Sequence, residues 1–187
     1  PEILKKMRRR YKAENYHSLI HTIKSKIPEC CIGVDVIVGF PGETDSHFEE
    51  TFQFLHELPV SYLHVFTYSE RENTPAAIYP EKIPPVARKQ RTNRLRALSE
   101  KKKHEFYRSQ TDTIHTVIPE SYNHETNLWI GWTENYVRTE FSAVQSLLQV
   151  PMPIQLNEIS GETMLGTLLE HQQVLSEKIP EYYSILF

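Results

Sequence analysis

The sequence predicts an α/β unit over residues 1–110 followed by a small all-β barrel over residues 111–187. In the first part, helical spacing of apolar residues alternates with short β-branched or aromatic runs, which is typical of βαβ units with parallel strands. After residue 110, short runs with two-residue alternation replace the helical spacing. The charge changes at the same place: 19 Lys and Arg against 14 Asp and Glu become 2 against 10. This change from a net of +5 to a net of −8 suggests two modules.

Composition sets limits on the kind of protein. The 187 residues are 39% hydrophobic, enough for a packed core, but no apolar run is long enough to cross a membrane. The N-terminus is charged and lacks the apolar segment of a secretory signal. The two cysteines, Cys30 and Cys31, are adjacent and lack metal-ligand spacing, so we expect ordinary thiols in a reducing cytoplasm.

The first unit is organised around residues 34–44, which read Val-Asp-Val-Ile-Val-Gly-Phe-Pro-Gly-Glu-Thr. The β-branched run predicts a strand that is buried on both faces. Gly39 and Gly42 then favour a tight turn that a ligand can approach closely. Thr44, Asp45 and Ser46 are all possible N-caps of a following helix, and Ser46 and Glu49 have the spacing of a capping box. Such turns at the carboxyl ends of strands bind ligands in α/β folds; the alternative is an ordinary turn between strand and helix.

The other elements follow from apolar spacing and from the prolines that end it. His17 and His21 are four residues apart, but no third ligand accompanies them, so we predict no metal site. The predicted helices cover 14–27, 45–57 and 85–109, and the predicted parallel strands lie near 31–38 and 62–68.

Two basic segments have two possible interpretations. Residues 2–12 and the helix over 85–109 are rich in Lys and Arg, which suits the binding of phosphate or carboxylate groups. A solvated basic surface explains the same composition. The polar loop over 68–77 follows a strand, where functional groups concentrate.

The second unit shows four short strand-like runs, which predict a small antiparallel barrel. Asn157-Glu158 and Ser160-Gly161 resemble turns, and residues 171–187 give no clear pattern. The runs comprise Leu128, Ile130 and Trp132; Val137, Thr139 and Phe141; Met152, Ile154 and Leu156; Met164, Gly166 and Leu168.

Four segments, in order, resemble the methylthiotransferases, a branch of the radical S-adenosylmethionine (SAM) enzymes. Met7–Tyr11 resembles their Met-x-Arg segment, and Val34–Thr44 resembles their DVIVGFPGET strand. Phe66–Ala77 resembles their YSxRxGTxAA loop, with Asn73 where Gly is usual. Gly131–Val137 is similar to the TRAM β-barrel that follows the catalytic domain. The first and last segments look most like the branch that methylthiolates N6-threonylcarbamoyladenosine beside the anticodon of tRNA.

The resemblance implies the C-terminal part of a radical SAM (partial TIM-type) βα barrel, followed by a TRAM-like barrel. Such enzymes use SAM and two 4Fe–4S clusters, one of them held by Cys-x3-Cys-x2-Cys. Neither cysteine set is present, and Cys30-Cys31 cannot replace them. Because the chain also begins at Pro1, we expect a C-terminal fragment that is inactive by itself and binds none of these cofactors. The expected partner is the tRNA anticodon stem-loop, the sulfur donor is unidentified, and no membrane is involved.

Site residues follow from the matched segments. Arg9 matches the Arg of Met-x-Arg and is the candidate for the methionine carboxylate of SAM. The strand end at Ile37, Val38, Gly39 and Phe40 resembles the segment that packs on the adenine. We predict no general acid or base, because the clusters and the SAM-derived radical carry the chemistry in this family.

The substrate candidates are an exposed-loop arginine, two arginines of the basic helix and two aromatic residues of the barrel: Arg71, Arg88, Arg91, Trp132 and Tyr136. The role of Arg71 stays open between substrate, cofactor and structure. Two other functions also stay open. One is methylthiolation of a ribosomal protein, which the acidic second unit favours because carboxylates repel phosphate. The other is an RNA-binding module without chemistry.

Overall fold

A computed structural model of the chain describes residues 2–143 and 149–169. The chain divides into two units, one ending at Phe106 and one starting at Tyr107. Each unit is described by itself below. The division lies within the last turn of a long helix, a few residues before the change in charge.

The first unit contains four α-helices and two strands among its described residues. The predicted helices and strands are confirmed to within two residues at each end. A further helix, α1, occupies part of the basic segment over residues 2–12, where no helix was predicted. The elements are α1 (Glu2–Lys6), α2 (Ala13–Lys26), β1 (Gly33–Val38), α3 (Asp45–Glu57), β2 (Tyr62–Thr67), a 3-10 helix (Pro75–Ile78) and α4 (Pro85–Ser109).

Strands β1 and β2 pair in parallel, as predicted, with Val34 opposite Leu63 and Ile37 opposite Phe66. The prediction that β1 is buried on both faces is wrong. Its valines are buried, whereas Asp35 and Ile37 are exposed. The core explains this difference, because the apolar residues of α2, α3 and α4 pack on the valine face of the pair.

Helix α3 is capped by the first of its three possible N-caps, two residues before the predicted capping box. Thr44 is the N-cap: its side chain accepts a hydrogen bond from His47 N, while the His47 ring accepts one from Thr44 N. A histidine therefore fills the place that Glu or Gln usually takes in a capping box. The prediction for Ser46 and Glu49 is wrong because both lie inside the helix, where Glu49 pairs with Arg94 of α4.

Helix α4 satisfies backbone groups that the strands and α3 leave open. The Ser99 hydroxyl accepts from Leu63 N at 2.8 Å and donates to Leu63 O at 3.0 Å, on the edge of β2 that does not face β1. Lys102 Nζ donates to the carbonyls of His56 and Leu58, which end α3. These contacts fix α4 along β2, and burial lowers the pKa of Lys102.

The second unit is a closed five-stranded barrel with the strand order β3-β4-β5-β7-β6. The four predicted runs are confirmed as strands, and the longest strand, β3, was not predicted. The prediction of a purely antiparallel barrel is wrong for one pair, since β5 and β7 are parallel. The strands are β3 (Ile114–Asn123), β4 (Leu128–Thr133), β5 (Arg138–Phe141), β6 (Met152–Ser160) and β7 (Thr163–Leu168).

One of the two turn signals in this unit proves to lie inside a strand. Asn157 and Glu158 belong to β6, where the register with β7 shifts by one residue, as in a β-bulge. The turn at Gly161 is confirmed, with a positive φ of 60°. Residues 171–187, for which the sequence made no prediction, lie outside the described residues.

Within 2–143 and 149–169, no helix has both the length and the apolar character needed to cross a lipid bilayer.

Candidate functional site

The turn after β1 is held by Glu43. Gly39 and Gly42 have positive φ values of 78° and 85°, which favour glycine. Glu43 Oε2 accepts a hydrogen bond of 2.6 Å from Gly39 N, and Gly42 N donates to Glu81 O at 2.8 Å. The N–H group of Gly39 is therefore bound by the Glu43 carboxylate of the same turn.

Arg91 completes this arrangement from α4. Its guanidinium lies 2.9 Å from Glu43 Oε1 and 2.7 Å from Asp45 Oδ1. Arg91 and Glu43 are both only 6% exposed. Burial raises the pKa of Glu43, against the opposing effects of Gly39 N–H and of the Arg91 charge. The sequence analysis did not identify Glu43, although it is the one acidic residue between the turn glycines and the helix cap.

This pairing corrects the role predicted for Arg91. A guanidinium that is buried and paired with two carboxylates is not available to an RNA phosphate. Arg88 also makes a contact within the fold, because its Nη1 donates to Tyr68 O at 3.0 Å. Unlike Arg91, its side chain stays partly exposed. Its methylenes cover Gly39, where an added Cβ would lie 2.3 Å from Arg88 Cγ.

Of the four residues predicted to pack on adenine, the structure leaves one side chain accessible. Val38 and Phe40 are 1% and 5% exposed, and Phe40 packs against the rings of Tyr68 and Tyr79. Their side chains therefore belong to the core, which corrects that part of the prediction. Ile37 is exposed and lies opposite the exposed Phe66, so the two form an apolar patch at the carboxyl ends of both strands. A flat base fits such a patch.

Arg9 lies just after α1. Its side chain is exposed, and Lys6 of the same helix forms an ion pair of 3.3 Å with Glu81 beside Gly42. The N-terminal segment is thereby anchored next to the glycine turn.

Arg71 is also exposed, and its carbonyl accepts a hydrogen bond from Thr74. Asn73 has a φ of 64°, consistent with an asparagine at a position where a glycine is expected.

The cysteines do not fit an iron–sulfur cluster. Cys30 and Cys31 are half-buried neighbours, and the described residues contain no group of three or more His, Cys, Asp or Glu suited to a metal. A 4Fe–4S cluster needs a set of thiolates that converge on it. We therefore derive no step through a cluster held by these residues.

In the barrel, the turn between β4 and β5 is fixed by its own polar side chains. Thr133 Oγ1 donates to Asn135 Oδ1, and Asn135 Nδ2 donates to Gln110 Oε1 at 2.8 Å. Glu134 contacts the buried His115 at 3.1 Å and accepts from Thr116 N. Burial by itself would raise the pKa of Glu134, but the His115 and backbone hydrogen bonds outweigh it and lower that pKa.

The same turn presents Tyr136 to solvent. Tyr136 has a φ of 63° and is 69% exposed. Trp132 is 38% exposed and lies opposite the exposed Ile118 of β3 and Arg138 of β5. The structure thus leaves both predicted stacking residues accessible, and an accessible aromatic ring is a suitable platform for a base.

Comparisons with known proteins agree with the motifs. Residues 1–55 match the family model described as the Radical SAM superfamily. Threonylcarbamoyladenosine tRNA methylthiotransferase MtaB of Bacillus subtilis (strain 168) is 36% identical over 149 residues, which are 78% of this chain and 33% of the relative. tRNA-2-methylthio-N(6)-dimethylallyladenosine synthase of Bacillus anthracis is 33% identical over 172 residues, 90% of this chain and 33% of the relative. The enzyme of that name from Geobacillus thermodenitrificans (strain NG80-2) is 33% identical over 170 residues, 89% of this chain and 32% of the relative.

Residues 1–55 are thus similar to the radical SAM superfamily. Over most of its length the chain is similar to tRNA methylthiotransferases, as its motifs predicted. The chain spans about a third of the length of these relatives. A mixed α/β unit with a separate five-stranded barrel is consistent with this relationship.

Proposed function

We propose that this chain is part of a tRNA methylthiotransferase that adds a methylthio group to N6-threonylcarbamoyladenosine next to the anticodon. The observation that carries the proposal is the 36% identity with the Bacillus subtilis enzyme that is named for this nucleoside. In such an enzyme, SAM and the clusters supply the radical chemistry, and the protein positions and shields the reactants. Inactivity of these 187 residues by themselves belongs to the same proposal, because they contain no Cys-x3-Cys-x2-Cys set.

The residues of this chain have separate roles in the proposal. The first unit is the C-terminal part of the βα barrel, and its Ile37–Phe66 patch would pack on the adenine of SAM. Arg9 would pair with the methionine carboxylate, since a planar guanidinium binds a carboxylate through two hydrogen bonds. The second unit is a TRAM-like barrel, on which Trp132 and Tyr136 would stack on bases of the anticodon stem-loop.

Nucleoside mass spectrometry of cellular tRNA tests this function. Deleting the gene that encodes this chain should remove the 2-methylthio derivative of threonylcarbamoyladenosine, and the unmodified nucleoside should accumulate. Reintroducing the gene should restore the derivative. Loss of the methylthio derivative of dimethylallyladenosine instead would assign the substrate that names the Bacillus anthracis relative. Unchanged tRNA nucleosides together with an unmodified ribosomal protein would contradict the tRNA function.

A further inference from the structure

The basic side chains of α4 fall into two groups. Arg91 pairs with Glu43 and Asp45, and Arg94 pairs with Glu49. Lys101 pairs with Glu105, and Lys102 caps α3. By contrast, Lys89, Arg96 and, near the end of the helix, Arg108 are exposed, and no described residue forms a hydrogen bond or an ion pair with their side chains. The first group makes contacts within the fold, whereas Lys89 and Arg96 leave two neighbouring charges uncompensated.

Lys89 and Arg96 line a cleft. The cleft has a volume of about 390 Å³ and lies where α4 passes the carboxyl end of β2. Of the described residues that line it, none is acidic. Besides Pro85, its walls are formed by Thr67, Arg88, Lys89, Thr92, Asn93 and Arg96.

The side chains in this cleft are hydrogen-bond donors. Lys89, Asn93 and Arg96 recur at i, i+4 and i+7, so they lie on one face of α4. Arg88 is held in place by its bond to Tyr68 O, but its Nε is buried without a hydrogen-bond partner in the described part of the chain. Three cations and an amide that point into one concave surface are suited to an anion.

The length of the site favours an extended anion. Lys89 and Arg96 are seven positions apart, which is roughly 10 Å along a helix at 1.5 Å per residue. Their long side chains can converge on one phosphate, but successive phosphates of one nucleic-acid strand let each cation contact a phosphate of its own. Phosphate contacts of this kind position a protein on nucleic acid.

We propose that this cleft, here called the α4 cleft, binds the phosphate backbone of RNA through Arg88, Lys89, Asn93 and Arg96. The inference rests on the proposed tRNA function and specifies where the first unit contacts the substrate. It also separates these contacts from Arg91, whose charge is matched by buried Glu43, and from Arg94, which pairs with Glu49 at the surface.

A matched pair of double variants tests the proposal. The cleft variant is Lys89→Gln with Arg96→Gln, and the control is Arg94→Gln with Lys101→Gln. Each removes two exposed positive charges from the same helix, so net charge changes equally. Fluorescence anisotropy would follow binding of an anticodon stem-loop RNA to the 187-residue chain over a series of KCl concentrations. Circular dichroism would check that all proteins are folded.

We expect the cleft variant to lose roughly tenfold or more in affinity at low salt. Its log–log salt slope should fall by about 1 to 2, because each phosphate contact contributes about 0.7 to 0.9. The control should stay within about twofold of the parent chain, with the same slope. Equal losses in both variants would overturn the cleft and leave only a general effect of charge.

Two further outcomes separate the cleft from the proposed function. If the parent chain binds RNA and the cleft variant keeps its affinity and slope, the cleft proposal fails while tRNA binding stands. If the parent chain binds tripolyphosphate but no RNA, and the cleft variant loses tripolyphosphate, the site takes a free polyphosphate and both RNA proposals fail. If the parent chain binds neither RNA nor tripolyphosphate, the cleft is not a phosphate site and the proposal fails.

Discussion

Arg91 is a structural cation within a helix that is otherwise rich in solvent-exposed charge. Replacing Arg91 with Met should destabilise the first unit by about 3–5 kcal/mol, because the buried carboxyl group of Glu43 would lose its partner. Urea unfolding followed by helical circular dichroism measures this change, since the described α-helices all begin in the first unit.

Arg94→Gln is the control for this measurement. Its ion pair with Glu49 is about half exposed on both sides, and exposed pairs contribute about 0–1 kcal/mol. If Arg91→Met were no more destabilising than Arg94→Gln, Glu43 would have another means of compensation and the assignment of Arg91 to the fold would be wrong.

Gly39 is expected to be intolerant of a side chain for two independent reasons. Its φ of 78° is strained for alanine, and a Cβ would meet Arg88 Cγ at 2.3 Å. We expect Gly39→Ala to destabilise the first unit by roughly 1–3 kcal/mol from backbone strain alone, and further by displacing Arg88. Gly161→Ala has a similar φ of 60° with nothing within 4 Å, so it isolates the strain.

The two substitutions are measured with different probes. Helical circular dichroism reports on Gly39→Ala. Tryptophan fluorescence reports on Gly161→Ala, because Trp129 and Trp132, the two tryptophans of the chain, both lie in the barrel. If Gly39→Ala and Gly161→Ala lost the same free energy of unfolding, the displacement of Arg88 by the new Cβ would cost nothing.

The sequence could predict the apolar centre of the buried stripe of α4, but not the two charged residues that extend this stripe in both directions. Leu95 and Leu98 are apolar residues at helical spacing, and both are buried. Arg91 and Lys102 continue the same stripe at helical spacing, yet their residue types suggested solvent. Their partners are a carboxylate 48 residues away and the carbonyls that end α3, so only the tertiary structure shows that these charges are internal.

At the scale of elements, the turn between β4 and β5 should give the barrel a dependence on acid pH. The pKa of Glu134 lies below its ordinary 4.5 in the folded state, so its stabilising effect is complete above that pH and is lost as pH falls through the lowered pKa. Glu134→Gln should therefore be less stable than the parent chain at neutral pH.

Urea unfolding followed by tryptophan fluorescence, repeated from pH 7 down to about pH 3, measures this difference. The gap between parent and variant should close as the solution becomes more acidic than the lowered pKa. A gap that stays constant with pH would mean that the carboxylate charge is not the stabilising feature.

Tyr136 should contribute to RNA affinity without changing its salt dependence. Tyr136→Asn removes the ring but suits the positive φ, and we expect a loss of about 1–3 kcal/mol in binding of the stem-loop. The salt slope should not change, because no phosphate contact is lost. Anisotropy titrations measure both quantities, and Tyr136→Phe keeps the ring as a control. A loss as large for Tyr136→Phe would place the contribution in the hydroxyl group instead of in stacking.

Alternation predicted the strands of the barrel better than their connections. The runs at β4 and β5 alternate between buried and accessible positions throughout, β6 does so over part of its length, and β7 does not. Strand β3 was missed, and it carries His115, Pro119 and Glu120 among its alternating residues. Asn157-Glu158 resembled a turn because a bulge accommodates the same residue types, and local sequence does not distinguish the two.

At the scale of the whole molecule, we predict that the 187-residue chain binds no 4Fe–4S cluster. Anaerobic reconstitution with iron and sulfide, followed by iron analysis and absorption spectroscopy, tests this. Cys30→Ser with Cys31→Ser is the control and should behave like the parent chain. Stoichiometric iron that disappears in the double variant would show that the two thiols take part in a cluster.

The parallel pairing of β5 with β7 has a consequence for the order in which the barrel is assembled. During synthesis, β3, β4 and β5 can pair as soon as they are made, but β5 then presents an open edge until β7 follows. β3 likewise waits for β6. A nascent chain released before residue 168 would therefore expose two strand edges with unpaired backbone N–H and C=O groups. Premature termination in this region should thus favour self-association of the truncated product.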